Sequence, residues 1–166
     1  RACLAAGVAK VVQVSTPLAY GVPEELPFDE DSAPGPHPSD YARSKYLGDQ
    51  AGWEFHERDK LPLTIVYLAA VIGAGDDKET MEVRRAVEKR MPALMGADTT
   101  YTYLYVRDAA EAIKRALVQD NTVGRKYLIG DQRATTREYF NIIGELADVP
   151  VPNFNIPENW LMPAAR

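Results

Sequence analysis

The sequence predicts an α/β fold built on a mostly parallel sheet with helices on both faces. Three observations carry that expectation. Residues 11–14 (VVQV) and Leu63–Leu68 (LTIVYL) are apolar and β-branched almost without interruption, as strands covered on both faces are. Between and after them run segments with helical periodicity. The first strand candidate also ends in hydroxyl residues, at the edge of a parallel sheet where such folds bind ligands.

Composition narrows the classes of function. A chain of 166 residues with 46% hydrophobic content fits one domain with a core. A net charge of -5 and a pI near 5.1 exclude a nucleic-acid backbone binder, which needs a basic stripe. No apolar run reaches the roughly 18 residues of a membrane span. The single cysteine, Cys3, rules out an internal disulfide framework and points to a reducing, cytoplasmic setting; its Ala-rich surroundings make it a packing residue. With only His37 and His56 as histidines, no metal site is expected.

Taken in order, residues 1–7 read as the back half of an amphipathic helix closed by Gly7. They lack an initiating Met, a charged n-region and an apolar h-region, so a preceding segment is expected. Residues 11–14 form the first strand, with Ser15 and Thr16 at its carboxyl edge. The stretch 22–40 (VPEELPFDEDSAPGPHPSD) is too rich in Pro and acid for regular structure and too long for a connector. It reads as a lid or substrate loop, with a disordered acidic insertion as the alternative.

A helix over 41–58 follows, capped by Ser39 or Asp40. Ala42, Leu47, Ala51 and Phe55 supply its packing positions, and Gly48 and Gly52 mark places of close backbone approach. With Trp53 and Phe55 adding bulk, it is expected to pack on two sides. Tyr41 and Lys45 lie one turn apart on one face. An ammonium a few Å from a phenol favours the phenolate, so the pair suits proton transfer. The alternative is a packed Tyr beside a solvated Lys.

Leu63–Leu68 is the clearest strand, introduced by Pro62. Residues 69–76 (AAVIGAGD) turn off it through two glycines, without the third glycine and the helix that a dinucleotide fingerprint needs. Residues 77–95 read as a helix ended by Pro92, its charges interrupted by Met81, Val83, Val87 and Met91. In residues 100–106, Tyr101, Tyr103 and Tyr105 alternate with Thr102 and Leu104, as in a strand. Residues 108–119 form an amphipathic helix through Ala109, Ala110, Ile113, Ala116 and Leu117. Residues 125–129 make a short strand, and the helix at 135–146 opens on a capping box, Thr135 with Glu138. The tail carries Pro150, Pro152, Pro157 and Pro163.

Four pieces in this order resemble the extended short-chain dehydrogenase/reductase family of NAD(P)-dependent sugar-nucleotide epimerases, dehydratases and dihydroflavonol-reductase-like enzymes. STPLAYG is similar to that family's Ser/Thr-rich strand end before Tyr-Gly, and YARSK to its Tyr-x-x-x-Lys. LTIVYLAAVIGAGD resembles the family's L-R-P-x-N-V-Y-G-P-G strand and loop, and YLYVRDAAEAIKRAL its V-H-V-D-D-V-A-x-A helix entry. The resemblance covers nearly the whole chain as the C-terminal part of a partial Rossmann-like fold, without the N-terminal Gly-rich half.

It implies hydride transfer with Tyr41 as general acid or base. Lys45 would hold Tyr41 reactive and bind the nicotinamide ribose, and Thr16 would donate to the substrate oxygen. Ala69, Ala70 and Val71 would line the nicotinamide side. The implied cofactor is NAD or NADP in the full-length protein, with none held tightly by this chain alone. The implied substrate is a small carbonyl, alcohol or nucleotide sugar, whose phosphate Arg84, Arg85 or Arg107 could meet. A homo-oligomer, at least a dimer through helix 41–58 and the helix ending at residue 7, is also implied. Tyr67 and Leu68 replace the family's frequent Arg-Pro, and Tyr105 and Arg107 its His and first Asp. The alternative to an enzyme is a non-catalytic binding or assembly module made from the same fold.

Overall fold

A computed structural model of the protein describes residues 1–89 and 91–156. Its contacts divide the chain into two compact units, Arg1–Val71 with Leu104–Gly130, and Ile72–Tyr103 with the described residues from Asp131 on.

The first unit is built on three strands, β1 (Val11–Ser15), β2 (Leu63–Leu68) and β6 (Lys126–Ile129), in the order β1-β2-β6. Both pairings are parallel, with Val11 beside Leu63, Ser15 beside Tyr67 and Leu68 beside Ile129. The parallel sheet expected from residues 11–15, 63–68 and 125–129 is therefore formed.

Alternation along β2 sends its side chains to two layers. Leu63, Ile65 and Tyr67 are buried with Trp53 and Phe55 of α2 (Asp40–Asp59), and Cys3 and Leu4 of α1 (Ala2–Ala5) pack on the same cluster. Thr64 and Val66 face the other way. The Thr64 hydroxyl donates to the Thr122 carbonyl at 2.7 Å, and Val66 shares a cavity of about 400 Å³ with Ala112 and Ala116 of α4 (Val106–Val118). Leu63 and Ile65 are fully buried, and each such burial contributes about 1.5–3 kcal/mol.

Caps follow the local chemistry. Ser39 accepts from the Ala42 amide at the start of α2, and Lys60 closes the helix in the left-handed region. At the other end of α4, Lys10 donates to the carbonyls of Ala116 and Gln119 and to Thr122, placing a cation at the helix C-terminus.

Several expectations within this unit are corrected. Leu47 and Ala51 are exposed, so α2 packs through Ala42, Asp49, Trp53 and Phe55 instead. Gly52 does sit close to Gln13 and Leu63, whereas a side chain at Gly48 would meet open space. Of the apolar residues assigned to α4, Ala110 and Leu117 are exposed. Residues 69–76 are more than a turn, because Ala70–Ile72 forms a short strand, β3.

The stretch 22–40 is a tied loop, not a disordered insertion. It follows a single 3-10 turn at Pro17–Tyr20. The Gly35 amide donates to Tyr20, the Val22 amide to Pro36, and the Tyr20 hydroxyl to the Glu30 carbonyl at 2.9 Å. Glu30 then accepts from the Leu128 amide through its carboxylate and from Lys126 through its carbonyl, both at 2.9 Å, covering the β6 edge. A Cβ on Gly35 would lie 1.7 Å from the Val22 carbonyl oxygen, so only glycine fits.

The second unit contains α3 (Asp77–Val87), β4 (Leu94–Met95), most of β5 (Thr100–Tyr105), β7 (Gln132–Thr135), α5 (Thr136–Ala147) and β8 (Asn155–Ile156). The β5 and β7 strands are antiparallel, Thr100 beside Thr135, and β4 runs parallel to β8. Ala86, Leu94, Ala97 and Phe140 form its core, with Tyr103 stacked on Tyr139 at 5.0 Å. Thr135 and Glu138 form the expected capping box. The helix expected from residue 77 up to Pro92 stops at Val87, and Lys89 turns left-handed before that proline. Met81 and Val87 are exposed, whereas Ala86 is buried and Val83 half-buried. Pro157 and Pro163 lie outside the described residues.

Candidate active site

Of the residues that the sequence singles out, Thr16, Tyr41, Lys45, Ala69, Ala70, Val71 and Arg107 belong to the first unit, and Arg84 and Arg85 to the second. The β1–β2 register places Ser15 beside Tyr67, so Thr16 and Ala69 leave the sheet from the same end of adjacent strands. Ala69 remains tied to the sheet, its amide donating to the Ile129 carbonyl at 2.9 Å; Ala70 is exposed and Val71 half-buried.

The Lys45 ammonium donates to the Val14 carbonyl at 3.3 Å, anchoring it at the strand end. Tyr41, one turn earlier on α2, is 55% exposed, and its ring is therefore not the packed tyrosine of the alternative reading. The Thr16 hydroxyl accepts from the Leu18 amide at 3.4 Å and so caps the 3-10 turn. That bond uses a lone pair and leaves the hydroxyl proton available to a substrate oxygen.

Sequence reasoning missed the group beneath these three. Asp49 is 3% exposed on α2, one turn beyond Lys45, and accepts from Ser15 Oγ at 2.7 Å and Gln13 Nε2 at 2.6 Å. Burial pushes its carboxyl above the ordinary carboxylate range, against the opposing effects of those two hydrogen bonds and of Lys45. Tyr67 and Tyr20 pack nearby at 5.1 Å between rings. Burial pushes the Tyr20 phenol up to about 12, and burial together with the Asp49 charge raises Tyr67. Both shifts keep these phenols protonated at neutral pH. The available signal for Asp49 was its four-residue spacing from Lys45, which puts both on one helix face.

The arrangement combines an exposed phenol, an anchored ammonium and a hydroxyl donor at the end of a parallel sheet. Such a set can move a proton and orient an oxygen. Among the described residues there is no group of three His, Cys, Asp or Glu that could hold a metal ion, and no helix long and apolar enough to cross a membrane.

The parallel sheet with its helices is a Rossmann-like fold of the short-chain dehydrogenase/reductase kind. Residues 1–130 match the NAD dependent epimerase/dehydratase family, and the chain belongs to it. The NADPH-dependent methylglyoxal reductase of Saccharomyces cerevisiae is 27% identical over 134 residues, 70% of this chain and 37% of that protein. The UDP-glucose 4-epimerase of Azospirillum brasilense is 29% identical over 174 residues, 91% of this chain and 50% of its own length. Among solved structures, a Thermus thermophilus UDP-glucose 4-epimerase complex with NAD superposes with a TM-score of 0.74 at 28% identity, covering 94% of this chain and 54% of that one. The chain thus spans about half, or less, of the length of these relatives.

Proposed function

We propose that the chain carries the proton-transfer and nicotinamide-facing part of an NAD(P)-dependent oxidoreductase or sugar-nucleotide epimerase/dehydratase. The observation that carries the reading is Lys45 seated on the Val14 carbonyl at 3.3 Å, two residues from the Thr16 hydroxyl in the chain and one helical turn from Tyr41. NAD(P), when bound, supplies hydride acceptance or donation. Tyr41 takes the proton of a substrate hydroxyl during oxidation, or gives one to a carbonyl during reduction. Thr16 donates to the same substrate oxygen and orients it. Lys45, one turn from Tyr41 on α2, would hold the nicotinamide ribose.

The residues present fit the nicotinamide end of such a cofactor. Ala70 is an exposed methyl group at the start of β3, and with Ala69 and Val71 it would line the nicotinamide side. A pyrophosphate cradle is a different matter, since the chain contains no G-x-G-x-x-G. Support for the substrate class comes from the relatives' names: a 2-oxoaldehyde for the reductase and a nucleotide sugar for the epimerases. Methylglyoxal with NADPH and UDP-glucose with NAD are accordingly the two probes.

The test is a pattern of losses in the full-length protein. Lys45→Ala is expected to lower kcat and weaken cofactor binding together. Thr16→Val keeps the shape and loses the donor, lowering kcat/KM by about 1–3 kcal/mol of transition-state stabilisation. Steady-state kinetics and cofactor titration check both. Wild-type kinetics in both variants would overturn the reading.

A further inference from the structure

We propose that Asp49 is a positioning residue of the hydride-transfer site: by accepting from Gln13 and Ser15 it fixes the register of α2 against the end of β1, and with it the placement of Lys45 and Tyr41 relative to Thr16. The inference rests on the functional reading above and adds to it a residue that touches neither substrate nor cofactor.

The connections interlock along four consecutive residues. Gln13 and Ser15 send their side chains to the Asp49 carboxylate at 2.6 and 2.7 Å. Val14, between them, gives its carbonyl to Lys45 at 3.3 Å. Thr16 follows directly. On the helix, Lys45 and Asp49 are four residues apart and therefore share a face, with Tyr41 four residues before Lys45. Two side chains one turn apart thus grip adjacent positions of one strand. A slide of α2 along β1 would break both grips at once.

Stability alone is a poor explanation for this carboxylate. Burying a charge is costly, and a well-packed apolar side chain in such a place is often neutral or stabilising. A buried polar group with directional partners instead specifies one arrangement among several of similar packing. Gly52, one turn beyond, closes the fit, since a Cβ there would lie 2.8 Å from Gln13 Oε1. That contact is to the mobile end of Gln13, and the next, 3.2 Å to Leu63 Cδ2, places the same helix face against β2.

The experiment compares wild type, Asp49→Asn and Ser15→Ala in two ways. Trace acetylation of this chain with acetic anhydride, read by mass spectrometry, gives the reactivity of Lys45 relative to Lys114. In Asp49→Asn that ratio is expected to rise at least about threefold, with faster amide exchange confined to residues 13–16 and 41–49. Ser15→Ala, which removes one of the two bonds, is expected to move the ratio the same way by less, and it serves alone if Asp49→Asn does not fold. In the full-length protein, kcat on the accepted probe is expected to fall about 10–100-fold with KM changed far less.

A merely structural role would lower the melting temperature while leaving the Lys45 ratio unchanged, and that result overturns the proposal. An altered ratio with wild-type kcat overturns it equally. Tyr41→Phe is the parallel control: wild-type turnover in that variant removes the hydride-transfer reading itself, whatever Asp49 does.

Discussion

Asp49 also makes a statement about stability and pH. Burial raises its carboxyl, so the folded chain keeps that proton to higher pH than the unfolded chain does. The folded state then binds more protons than the unfolded state between the two values, and stability falls as pH rises through that window. Its contribution is fully present below the ordinary carboxylate value of about 4 and is lost as pH climbs through the raised one. Asn at this position has no such proton. The urea-unfolding free energy of wild type minus that of Asp49→Asn is therefore expected to decrease as pH rises above about 4. An increase would contradict the assigned burial. At this scale the sequence offered Tyr41 and Lys45 as a pair one helical turn apart, and Thr16 through the family resemblance of STPLAYG. Asp49 was not legible, since an acid on a charged helix reads as solvated until the strand beneath it is known.

At the scale of elements, the loop 22–40 shows what composition conceals. Pro and acidic residues announce irregular backbone, yet nothing local in the sequence indicates that Glu30 meets the amide of Leu128, 98 residues further along. An edge amide facing a carboxylate is a charge-assisted bond, stronger than a neutral one. Glu30→Ala is expected to destabilise the chain by about 1–3 kcal/mol. Amide exchange at Leu128 should quicken while that at Ile65, bonded to the Arg125 carbonyl in the middle of the sheet, changes only with global stability. Equal acceleration at both amides would mean that the loop does not cover the edge independently. The long strands and helices were readable from period and length. The strands β3, β4, β7 and β8 have two to four residues each, too few to show alternation. The C-terminal end of α3 was misplaced because Pro92 is a visible stop, whereas the left-handed turn at Lys89 has no residue signature.

For the whole molecule, the parallel sheet and its strand-end site organise the first unit, and membership of the NAD-dependent epimerase/dehydratase family rests on a match that spans it. The chemistry proposed for that site depends on one transferable proton. Tyr41 is exposed enough that replacing it by Phe leaves the fold intact, so the variant isolates the proton from the packing. The most direct measurement is therefore the turnover of Tyr41→Phe in the full-length protein over about pH 6–9, on methylglyoxal with NADPH and UDP-glucose with NAD. The expected result is a kcat lowered roughly 10²–10⁴-fold with cofactor affinity little changed. Wild-type turnover across that range would contradict the account and return Tyr41 to an ordinary surface position on α2.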